Sequence, residues 1–76
     1  MFIPSGYYKS STGGLYKSTV TIFIDEFLYY NSSINDWILV PNSVNRDKLY
    51  SRLEEISRDD MENELDKKRM VYELRK

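Results

Sequence analysis

Neither cysteine nor histidine occurs anywhere in this 76-residue chain. Those two absences constrain the fold more than any other feature. A domain near this size buries only about 60% of its unfolded surface. Small domains are therefore commonly held by disulfides, a structural metal or a partner subunit. Without Cys there is no disulfide, and without Cys and His there is no zinc site of the usual kind. What remains is a dense core or association between copies. Residues for a core are present: apolar types make up 41% of the chain and none of them is Ala. One domain over residues 1–76 is expected, with self-association extending its core.

The chain divides by pattern into a β-rich part, 1–44, and a helical part, 45–76, giving an α+β fold. Ser10-Ser11-Thr12-Gly13-Gly14 is a turn cluster with two glycines able to take positive φ. It separates Tyr7-Tyr8-Lys9 from the run Leu15 to Tyr30, in which Val20, Ile22 and Ile24 alternate with Thr19, Thr21 and Phe23. Period-2 alternation of β-branched and aromatic residues predicts a strand. The pattern fails at Asp25-Glu26, where Glu26 would fall on the apolar face. A β-bulge or bend is expected there, with a short helix from Asp25 as the alternative. Trp37-Ile38-Leu39-Val40, ended by Pro41, predicts a further strand. The expectation is a three-stranded antiparallel meander over about 5–10, 15–29 and 36–40.

Residues 45–76 contain no Gly and no Pro. Asn45 suits an N-cap, and Val44 with Leu49 has the spacing of a hydrophobic staple. Leu49, Leu53 and Ile56 form a helical stripe that ends at Asp60, and Met61, Leu65 and Tyr72 lie on another face. Ser57-Arg58-Asp59-Asp60 has the form of a capping box. Two helices meeting near Ser57 are expected, or one helix about 45 Å long whose far end needs a partner. The predicted core is Val20, Ile22, Ile24, Leu39, Leu49, Leu53 and Ile56. Self-association is expected through Met61, Leu65 and Tyr72.

For function, the exclusions come first. The common general base near neutral pH is His, and thiolate chemistry needs Cys. No serine sits in a Gly-x-Ser-x-Gly elbow. Asp25 and Glu26 are adjacent and point to opposite faces of a strand, and the acidic set from Asp59 to Asp66 reads as a solvated helix face. No catalytic residue is assigned, and no enzyme is expected. Gly13-Gly14-Leu15-Tyr16-Lys17-Ser18 departs from a P-loop at Tyr16 and in its position between strands. Asn31 to Asp36 lacks the Gly and terminal Glu of a calcium loop. No cofactor and no metal are expected.

Met1-Phe2-Ile3-Pro4 shows no signal-peptide pattern, and no apolar segment has membrane-spanning length. Asn31-Ser32-Ser33 matches a glycosylation acceptor, which means little without a secretion signal. The formal charge of −1 signals neither a polyanion binder nor an acidic mimic.

The aromatic residues stand out. On strands, the adjacent pairs Tyr7-Tyr8 and Tyr29-Tyr30 must each place one ring on each face. A sheet covered on one side only would leave some of these rings exposed. Tyr7, Tyr8, Tyr16, Tyr29 and Tyr30 are therefore the candidate partner-binding residues. The composition, rich in Lys, Asn, Ile, Tyr and Ser, is that of an AT-rich gene, a style common in phages and mobile elements. The leading expectation is a small non-enzymatic module in the host cytoplasm that binds, and inhibits or modulates, a host protein. The alternatives are single-stranded nucleic-acid binding on Tyr7, Tyr8 and Tyr16 with Lys9 and Lys17, small-ligand sequestration at a subunit interface, and a structural part of a larger assembly.

Overall fold

The computed structural model describes residues 3–75. Met1 and Phe2, part of the segment read for a leader, and Lys76, the end of the expected helix, lie outside them. The elements run β1 (Gly6–Ser10), β2 (Leu15–Val20), β3 (Asp25–Asn31), β4 (Asp36–Leu39), α1 (Arg46–Tyr50), β5 (Leu53–Ile56) and α2 (Arg58–Leu74). The strands form one antiparallel sheet in the order β4-β3-β2-β1-β5. The fold is α+β, with five strands where the sequence pattern suggested three.

Two corrections account for the difference. The run from Leu15 to Tyr30 is two strands, not one. The chain reverses at Thr21–Ile24, and Val20 pairs with Asp25 and Thr19 with Glu26. Asp25 and Glu26 thus begin β3 in regular register and are exposed, with no bulge. The second correction is β5. Leu49, Leu53 and Ile56 have helical spacing, yet α1 stops at Tyr50 and Leu53–Ile56 pairs with β1, Tyr7 opposite Ile56 and Ser10 opposite Leu53. In a strand, positions three apart face opposite ways. Leu53 therefore packs with one core cluster and Ile56 with the other. Pairing along β1 has overridden a local helical preference, as tertiary context can.

Both faces of the sheet are covered. On one, Leu15 and Tyr30 meet Met61 and Leu65 of α2, with Tyr7, Trp37 and Ile56 packed around them. On the other, Tyr8 and Phe27 meet Ile3 and Val40, and Leu49 and Tyr50 of α1 pack against that cluster. The Tyr8 and Tyr50 rings meet edge to face at 5.5 Å. Buried Ser18 donates to the Ile3 carbonyl at 2.8 Å, which fixes the incoming segment over this face. Of the predicted core, Val20, Leu49, Leu53 and Ile56 are half-buried, whereas Ile22, Ile24 and Leu39 are exposed.

The caps follow the sequence. Asn45 accepts from the Lys48 amide at 3.1 Å and Ser57 from the Asp60 amide at 3.0 Å. So the break at Ser57 is real, but it separates a strand from a helix. In the β1–β2 turn, only Gly13 has positive φ, at 90°. Gly14 is needed for room: a Cβ there would lie 2.9 Å from the Ser10 hydroxyl oxygen, which accepts from the Gly14 amide. Among the described residues, no helix is long and apolar enough to cross a membrane.

Candidate functional site

The pleat does send Tyr7 and Tyr8, and Tyr29 and Tyr30, to opposite faces. With both faces covered, the rings pack inward. Tyr8 is 1% exposed and its hydroxyl donates to the Pro4 carbonyl at 2.6 Å. Burial pushes its phenol up to about 12, with Tyr50 and Glu55 adding to the effect. Tyr30 is also buried, its hydroxyl donates to Asn35 Oδ1, and its pKa is raised chiefly by burial. Tyr16 stacks on Phe27 at 5.6 Å, Tyr29 packs against the same cluster, and Tyr7 packs against the cluster under α2. These three are half-buried.

The cations beside them are engaged as well. Lys9 Nζ lies 3.1 Å from Glu64 Oε1, and that contact holds the Glu64 carboxyl below its ordinary pKa. Lys17 sits over the Trp37 ring at 4.6 Å from its centroid. Tyr7 and Tyr16 lie on opposite faces of the sheet, so no row of open rings flanked by free ammonium groups forms here.

The stripe expected to join two copies is likewise turned inward. Met61 and Leu65 are 1% and 4% exposed against the chain's own sheet, and Tyr72 is half-buried. Large apolar side chains are exposed singly at Ile34, Leu39 and Val44, and in groups of three at two sites that the sequence pattern did not single out as surfaces.

The first is the tip of the β2–β3 hairpin. Ile22 and Phe23 are each 90% exposed, and Ile24 is exposed beside them. The turn is well tied. The Thr21 amide donates to the Ile24 carbonyl at 2.7 Å, and the Thr21 hydroxyl oxygen accepts from the Phe23 and Ile24 amides at 3.1 and 2.9 Å. Threonine closes the turn with its side chain, so no glycine, asparagine or proline is needed, and the two central positions are free to carry bulk. Asp25 and Glu26 follow at the base of the tip, and no Lys or Arg occurs between Lys17 and Arg46. The sequence did hold a signal. Leu15 to Tyr30 is about three times a mean strand of ~5–6 residues, so an interior reversal was to be expected.

The second site is the end of α2. Met70 and Leu74 stand one turn apart with Val71 beside them, and all three are exposed. A 17-residue helix spans ~25 Å, longer than most strands of this sheet at ~3.3 Å per residue. Its last turns therefore reach the level of the β1–β2 and β3–β4 turns. There Val71, Tyr72 and Arg75 line an open groove of about 320 Å³ with Gly13 and Ser32. Lys9, Lys67 and Lys68 also line it, with one acid, Glu64, which pairs with Lys9 and Lys67. Because the strands alternate in direction, the β2–β3 tip lies at the opposite end of the sheet from those two turns.

Among the described residues, the carboxylates near these sites are spread apart. Asp25 and Glu26 diverge across β3, and Asp59 and Asp60 occupy the exposed first turn of α2. Compared with protein-family models, curated proteins and solved structures, the chain matches none.

Proposed function

We propose that this chain is a non-catalytic protein-binding module that docks through the β2–β3 tip. One observation carries the reading: Ile22 and Phe23, each 90% exposed, are held out on a hydrogen-bonded turn. Burying an Ile or a Phe side chain stabilises a complex by about 1.5–3 kcal/mol. Two such side chains together are worth roughly a hundredfold to ten-thousandfold in affinity before association costs. The turn is already ordered, so little conformational entropy is lost on docking. The acidic base of the tip, with no cation nearby in sequence, favours a protein pocket over an anionic lipid surface, which attracts basic segments.

The test is site-specific photo-crosslinking in a cell lysate, with the probe at position 23 in one sample and at position 62, on the solvated side of α2, in another. Discrete adducts are expected from position 23 only. Replacing Ile22 by Asn beside that probe should reduce them. Equal adducts from both positions, or none from position 23, would remove the tip from consideration.

A further inference from the structure

We infer that the tip's partner is the α2 end of a second copy of this chain, so that copies join head to tail. This rests on the tip being the docking surface. The two exposed sites are complementary in both respects that govern association. Each is apolar: Ile22, Phe23 and Ile24 at one end, Met70, Val71 and Leu74 at the other. Their charges are opposite: Asp25 and Glu26 beside the tip, and Lys9, Lys67, Lys68 and Arg75 against Glu64 along the groove at the helix end. Like-with-like contacts, tip to tip or end to end, would bring the same charge together and are disfavoured. The sites also lie at opposite ends of a molecule about 38 Å long, so one copy cannot satisfy itself.

Joining two different surfaces is a heterologous contact, which propagates into open chains or closes into a ring. The groove lined by Val71, Arg75, Gly13 and Ser32 offers a recess beside the helix end for a projecting side chain such as Phe23. Three residues on each side bury less than the ~1,200 Å² of a standard interface, so the contact is weaker than that of an obligate dimer. Opposite charges at its rim make it weaker as salt rises.

The experiment is sedimentation velocity on three proteins from micromolar to millimolar concentration: the wild type, a tip variant (Ile22→Asn with Phe23→Asn) and an end variant (Met70→Gln with Leu74→Gln). All substitutions are at exposed positions, and thermal melts confirm that each variant is folded. The wild type is expected to gain mass continuously with concentration. Each variant alone should stay monomeric. Their equimolar mixture should reach a dimer and stop, because it contains one intact tip and one intact helix end per pair. A wild type that stays monomeric at millimolar concentration overturns the inference, as does a mixture that stays monomeric while the wild type associates. In either case, position-23 adducts to a different protein would leave the docking role of the tip standing.

Discussion

Phe23 and Phe27 lie four residues apart on one hairpin, and the fold assigns them opposite fates. Phe27 is 1% exposed and stacks on Tyr16, whereas Phe23 is 90% exposed. A 76-residue domain has a total stability of roughly 4–11 kcal/mol. Phe27→Ala would cost about 3–5 kcal/mol and remove much of that, so Phe27→Leu is the measurable change. It loses the ring stacking and a little volume, worth about 1–1.5 kcal/mol. For a domain of this size that is a drop in Tm of roughly 5–10 °C. Phe23→Asn removes a ring that touches little and places a good turn former at the tip. Its effect should stay within about 0.5 kcal/mol, or less than ~4 °C. Both variants are read by thermal circular dichroism at low micromolar concentration, where association does not contribute. If Phe23→Asn lowers Tm as much as Phe27→Leu, the ring at 23 is packed, the reversal at Thr21–Ile24 is misplaced, and the tip is not a docking surface.

Two further outcomes test the interior. Asn35 has φ of 53° and accepts from the Tyr30 hydroxyl, so Asn35→Ala should cost about 2 kcal/mol by adding left-handed strain to a lost hydrogen bond, while Asn35→Gly should cost about 1 kcal/mol. Equal melts for the two would show that φ at this turn is unstrained. Tyr8, with its folded pKa raised from 10.0 to about 12, contributes stability that is fully present below pH 10 and is lost as pH rises through 12, up to about 3 kcal/mol. Denaturant unfolding between pH 9 and 12 should show this loss in the wild type and a smaller one in Tyr8→Phe.

Class and caps were legible in the sequence. Asn45 and Ser57 act as N-caps because a side-chain acceptor before an amphipathic segment is a local device, visible without tertiary context. The β-rich first half was legible for the same reason. Register was not. The length of the run from Leu15 to Tyr30 points to a reversal, but Val20, Ile22 and Ile24 alternate as a buried strand face would, so the pattern does not place it between Val20 and Asp25. A threonine-closed turn lacks the glycine or asparagine that would announce it. The strand β5 was hidden because its pairing partner, β1, lies more than forty residues earlier in the chain. The exposure of the tyrosines was not legible. Their alternation sets which face each ring takes, but α1 and the N-terminal segment cover the face away from α2. Local sequence carries little information about how a loop crosses a sheet.

The topology also supports the proposal that this chain docks through its ends. Its faces are used up, one by α2 and the other by α1 and the segment through Ile3. The edges are unsuited to strand addition: β4 and β5 have four residues each, β5 carries exposed Glu54 and Glu55, and β4 runs out at Pro41. Short, charged or proline-ended edges are how sheets avoid pairing with other chains. That leaves the two ends, and a meander makes them unequal. The β1–β2 and β3–β4 turns share one end, where α2 also finishes, so Val71 and Tyr72 line a recess. The β2–β3 turn projects from the other end and presents a knob. A small sheet with covered faces and short edges thus groups its exposed apolar residues into one protrusion and one recessed end, which is the minimum the proposed head-to-tail contact needs.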